Sequence, residues 1–138
     1  MKSRRFLMPC LAWIGIWLFW LVATYRFHPT FSLALIVTSS LVAAYATASF
    51  VNHMALMPLL LAKQRRWFYS ASLIATMAVL TAAALAIIRV SYLKQCGPDA
   101  DPYGVYKHYL IDLFGMVVHV SAAAAINSRL TRAAIRGT

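Results

Sequence analysis

Residues 67–89 read WFYSASLIATMAVLTAAALAIIR, an apolar run that carries no charge until Arg89. A bilayer's hydrocarbon core is about 30 Å thick and takes roughly 20 apolar residues of helix to cross. This stretch has that length, and Trp67 and Tyr69 at its start suit a membrane–water interface. It predicts a membrane-spanning helix.

Three further runs of the same kind surround it, giving helices at about 6–25, 31–62, 67–89 and 106–128. Of the 138 residues, 62% are hydrophobic and 12% charged, against about 25% charged in an ordinary soluble domain. One soluble core of this size could not hide so much apolar surface, so lipid must act as the solvent. The first run follows Lys2, Arg4 and Arg5 as a signal peptide would. It is too long for a typical signal core, however, and is followed by Tyr25, Arg26, Phe27 and His28 instead of a small-residue cleavage site. The expectation is an all-α protein: one integral membrane domain, a four-helix transmembrane bundle.

Charge placement sets the expected orientation. Lys2, Arg4 and Arg5 precede the first helix, Lys63, Arg65 and Arg66 join the second to the third, and Arg129, Arg132 and Arg136 follow the fourth. Asp99 and Asp101 fall in the loop on the other side. Because cytoplasmic loops collect Lys and Arg, both termini and the basic hairpin are expected inside (N-in/C-in), in a multi-pass protein of a bacterial inner membrane. The net charge of +10 then points to anionic lipid headgroups, not nucleic acid. Cys10 and Cys96 fall on opposite faces, too far apart for a disulfide within one chain.

Ionisable residues inside a membrane helix are expensive and single out candidate sites. Asp112 and His119 lie seven residues apart on one face of the fourth helix, with Gly115 between them and Asn127 further round. Arg89 at the expected outer end of the third helix is the nearest intramembrane cation to Asp112, and pairing of the two would pin these helices together. On the second segment, Tyr45, Ser49 and Asn52 form a polar seam, and of the neighbours Asn52 and His53 at most one can point into the bundle. That segment's 32 residues would reach about 48 Å as α-helix, longer than the bilayer. Pro58 near its end therefore predicts a kink or an early stop. Trp13, Trp17, Trp20 and Thr24 share one face of the first helix, either as a packing stripe or as a ligand-stacking platform. The expected outer loop, Ser91 to Gly104, holds Gly97, Pro98, Pro102 and Gly104.

No catalytic set emerges: there is no second membrane carboxylate, metal-ligand spacing, phosphate loop or Ser/His/Asp cluster. The chain is expected not to be an enzyme and to need no cofactor or metal. A haem b between His53 and His119 is the minority alternative, although the two histidines count to different depths. His28 and His108 lie at loop–helix junctions.

The most specific stretch runs from Tyr45 to Tyr69. It contains Phe50-Val51-Asn52, Pro58 six residues after the Asn, the basic turn Lys63-Gln64-Arg65-Arg66, and Trp67-Phe68-Tyr69. This pattern resembles the membrane-embedded input region of LytS/YehU-type sensor histidine kinases, over about residues 31–128. Those kinases continue into a phosphoacceptor region and an ATP-binding domain, whereas this sequence ends ten residues after Ser128. None of His28, His53, His108 or His119 matches a cytoplasmic phosphoacceptor, so the resemblance implies an input module without kinase activity. The expected function is a non-enzymatic sensory or regulatory membrane module that acts through other membrane or cytoplasmic proteins, with homo-oligomerisation open. A small accessory subunit of a respiratory or transport complex is the alternative, and a haem- or quinone-binding redox protein a further one.

Overall fold

The computed structural model describes residues 3–61, 63–98 and 105–136, with side chains over 10–60, 63–98 and 109–126. Four helices follow one another: α1 (Ser3–Thr24), α2 (Phe31–Val51), α3 (Arg66–Cys96) and α4 (Val105–Arg136). A short 3₁₀ turn, Tyr25–Phe27, links α1 to α2, and a π-helical segment, Asn52–Leu61, extends α2. All four helical stretches are long and apolar enough to cross a membrane, and among the described residues there is no strand. The protein is an all-α, multi-pass membrane bundle.

α2 is the central helix. It packs against α1, α3 and α4, while α3 also packs against α4. Small residues make the close approach possible: Ala44 and Ala48 of α2 and Ala84 of α3 are buried with Tyr45, Met77, Met116 and Val120. Close backbone approach and cross-helix polar contacts are what associate helices in lipid, where apolar burial gives no net drive. Thr81, fully buried on α3, donates to the Met116 sulfur at 3.6 Å, and the Tyr109 hydroxyl donates to the Ala78 carbonyl at 3.2 Å. Outside, large apolar side chains face away from the bundle, with Val79 66% and Phe114 71% exposed. No more than a third of any span is buried inside the protein. Such a surface requires lipid.

α4 runs on to Arg136, eight residues past its expected end, and two further differences from the sequence expectation bear on the site. α3 does not stop at Arg89 but runs seven residues further to Cys96, so the first part of the expected loop is helix. The added turns are held by partners distant in sequence. Tyr92 hydrogen-bonds His28 Nδ1 at 2.5 Å, and Thr30 Oγ1 donates to Gln95 Oε1 at 3.0 Å. Gly97, at φ +85, then ends the helix with its N–H on the Leu93 carbonyl, a conformation glycine adopts without Cβ strain. Arg89 consequently sits about 10 Å inside the helix end, at 1.5 Å per residue. The rest of the loop, 99–104, lies outside the described residues, as do Ala62 and the side chains of His108, Asn127 and the terminal basic residues.

The second difference concerns Pro58. The α-helical ladder gives way at Asn52, six residues before the proline, and continues as ten residues of π-helix. In an α-ladder the Pro58 ring would clash with the Met54 carbonyl and leave a bond unmade. The wider winding moves that carbonyl, so the helix is rewound where a kink or stop was expected. The same five-residue spacing persists into the turn, where Arg65 N–H donates to the Leu60 carbonyl at 2.9 Å. Runs of π-helix are rare and mostly a single turn, often at functional sites.

Candidate functional site

One face of α4 meets α1 and α2 around a partly open cavity of about 250 Å³. α1 contributes Trp20 and Thr24, α2 contributes Thr38 and Tyr45, and α4 contributes Asp112, Gly115 and His119. The seven-residue spacing of Asp112 and His119 does place them on one wall, as helical periodicity requires.

His119 is the hub. The Trp20 indole N–H donates to its Nε2 at 3.3 Å. Since Nε2 accepts, the ring proton sits on Nδ1 and is donated to the Gly115 carbonyl at 2.7 Å. Tyr45 stacks on the same imidazole, with centroids 4.8 Å apart and planes at 28°. The Tyr45 hydroxyl donates to the Asp112 backbone carbonyl at 3.4 Å. This crossing explains Gly115: a Cβ there would come within 2.9 Å of the Tyr45 oxygen, so any side chain would push the phenol out. Three helices are thus tied by two aromatic rings and one imidazole.

The tryptophan stripe supplies much of the tie. Trp17 N–H donates to Ser39 Oγ at 3.0 Å, Trp13 packs on the core, and the Thr24 hydroxyl caps the Trp20 carbonyl at 2.8 Å. The indole N–H groups of Trp17 and Trp20 thus point to partners in the bundle, while the Trp20 ring stays partly exposed. His28, at the α1–α2 turn, also lines the cavity, and burial lowers its pKa below the ordinary 6.5.

The remaining candidates lie elsewhere. Asn52, only 2% exposed, accepts a hydrogen bond from the Tyr69 hydroxyl at 2.8 Å and so pins the start of α3 to the head of the π segment. Its neighbour His53 is exposed, as is Pro58, so of the adjacent pair it is Asn52 that points inward. Arg89 is exposed on α3 and does not share the cavity that Asp112 lines. The expected histidine pair also separates: His53 belongs to the hairpin end, and the His119 Nε2 lone pair is already taken by the indole. Ligation of a metal by His119 would have to break that bond. Cys10 and Cys96 are both free and exposed.

Sequence reasoning missed Trp20 and Tyr45 as partners of His119. The available signal was that each lay on a polar or aromatic face of its own helix; which faces meet is not written in any one helix. No family model, characterised protein or solved structure matches the chain.

Proposed function

We propose that the chain is a non-catalytic sensory or regulatory module of a bacterial inner membrane, with both termini and the basic hairpin cytoplasmic. The observation that carries this reading is the division of labour along α2. α2 itself contributes Tyr45 to a cavity tied by hydrogen bonds from three helices. The π-helical segment that extends it leads into a turn with Lys63, Arg65 and Arg66. A change in the cavity is felt by α2, and α2 ends in the segment least bound to ordinary helical geometry. The cavity donors are satisfied by other protein groups, which suits recognition better than proton transfer. The resemblance of Tyr45–Tyr69 to sensor-kinase input regions supports the same role, and the basic turn offers a face for anionic lipids and a protein partner.

The test is mild-detergent purification of the chain beside two variants, His119→Gln at the cavity and Pro58→Ala in the π segment. A sensory module should insert normally in all three cases but retain its partner differently in the variants. A stoichiometric partner held equally by all three overturns the reading in favour of an accessory subunit. An optical spectrum of the same preparation settles the redox alternative.

A further inference from the structure

We propose that the cavity between α1, α2 and α4 binds a small uncharged molecule with a carbonyl oxygen on an apolar body, and that the Thr38 hydroxyl donates to that oxygen. This deepens the sensory reading, on which it rests, by assigning the ligand class. Among the described residues three polar side chains are buried: Asn52, Thr81 and Thr38. Asn52 accepts from Tyr69, and Thr81 donates to Met116. Thr38 is the exception. It is 3% exposed and lines the cavity, and its hydroxyl has no hydrogen-bond partner among the described residues. Nor is its oxygen closed off in the way that Ser49 Oγ is, so the hydroxyl is open to the cavity it lines. Thr24, Thr76 and Ser91 show the usual local solution, each donating to the carbonyl four residues back. Thr38 has not made that bond, and its proton is unspent. Buried polar groups are almost always paired, and one left alone is costly.

The other donors in the lining are spent. The Trp20 indole N–H goes to His119, the Tyr45 hydroxyl to the Asp112 carbonyl and the His119 Nδ1–H to the Gly115 carbonyl. His28 uses Nδ1 on Tyr92, and its second ring nitrogen stays at the turn. Thr38 lies deeper, about 10 Å into α2 at seven residues from Phe31. Asp112 is already engaged. An anion would find no Lys or Arg in the lining, and burial disfavours the charged form of His28. A protonated amine would bring more donors to a wall whose unmet need is an acceptor. The ligand is therefore neutral and supplies an oxygen. Val37, Leu41, Val42 and Ile111 complete the lining and suit hydrocarbon around that oxygen. Size narrows the class further. An apolar cavity of about 150 Å³ takes a benzene ring, so the volume of about 250 Å³ here takes a six-membered ring with a short substituent. A cyclic or short aliphatic ketone matches one free donor in an apolar wall.

Calorimetric titration of the full chain in nanodiscs, with cyclohexanone as the probe and empty nanodiscs as the blank, tests this. The control probe is methylenecyclohexane, in which a CH₂ group replaces the oxygen. Thr38→Val keeps the shape of the side chain and removes its hydroxyl. It should weaken cyclohexanone roughly fivefold or more and leave methylenecyclohexane within about twofold. Thr38→Ser should keep most of the native affinity. In the infrared, the carbonyl band of bound cyclohexanone should lie below that of the ketone dissolved in lipid. No saturable binding of cyclohexanone, or an equal effect of a folded Thr38→Val protein on both probes, overturns the proposal. So does an unshifted band, which would mean that the hydroxyl serves its own helix. A shift that survives Thr38→Val and vanishes in His28→Asn overturns the assignment to Thr38. If Thr38→Val does not fold, the band on the unaltered chain decides alone. Partner retention is read separately. Variant-sensitive partner coupling without ketone binding overturns the ligand class only, and ketone binding without any variant-sensitive partner overturns the sensory reading only.

Discussion

α2 and the π segment that extends it are fastened in opposite ways. At the cavity end, residues far apart in sequence meet: Trp20 reaches His119 across 99 positions and Tyr45 reaches Asp112 across 67. At the hairpin end one hydrogen bond, Tyr69 to Asn52 across 17 positions, joins helices that a tight turn already holds together. A short turn supplies most of the closure, so one polar contact suffices there. Helices from the two ends of the chain have no such help, and the bundle uses rings, an imidazole and a glycine gap to bring them together. The cavity is a by-product of that fastening, because aromatic side chains hold the backbones apart where alanines would let them close.

The largest effect should come from filling the gap. Gly115→Val puts branched carbon where even a Cβ meets the Tyr45 oxygen at 2.9 Å, and should destabilise the bundle by about 2 kcal/mol or more. Thermal unfolding in detergent measures it; an unchanged midpoint would break the contrast, since the cavity end would then have slack. Next in size is Tyr69→Phe. It leaves the buried Asn52 amide oxygen without its donor and should cost about 1–2 kcal/mol. Hydrogen exchange should rise in residues 52–69 and stay unchanged around His119. A response at both ends would mean that the local tie is not local.

Trp20→Phe keeps a ring but removes the N–H to His119, and about 1 kcal/mol is expected from such a bond between membrane helices. Its sharper signature is spectroscopic: the His119 ring loses its fixed tautomer, which nitrogen NMR of the imidazole reports directly. The smallest effect is acid sensitivity at the α1–α2 turn. Burial disfavours the charged form of His28, so its folded pKa lies below the ordinary 6.5. Above about pH 6.5 this group contributes its full stability; as the pH falls through the lowered pKa, the unfolded state binds the proton first and that stability is lost. Exchange at the turn should therefore quicken in acid, and replacing His28 with Asn should flatten the profile.

The bundle itself was largely legible in the sequence, for a physical reason. Lipid allows so few backbone solutions that length and apolarity alone define the spans. The shared face of Asp112 and His119 was legible too, since periodicity is a property of one helix. The continuation of α3 past Arg89 was not. Ser91, Lys94 and Gln95 read as the beginning of a loop, and only Tyr92 meeting His28 and Gln95 meeting Thr30 show why they stay helical. Pro58 correctly marked a disturbance near the end of α2, but the rewinding begins at Asn52, where no residue announces it. The tryptophan stripe was seen as a face without a destination.

The π segment has one more consequence. Wound as an ordinary α-helix, the same ten residues from Asn52 to Leu61 would be longer and would turn further about their axis. A change of winding there is a screw motion: whatever follows is advanced and rotated at once. The part that follows is the Gln64 corner, held at φ 58, flanked by the charges of Lys63, Arg65 and Arg66. A few tenths of a turn taken up or released within the membrane would sweep three positive charges around the end of the bundle.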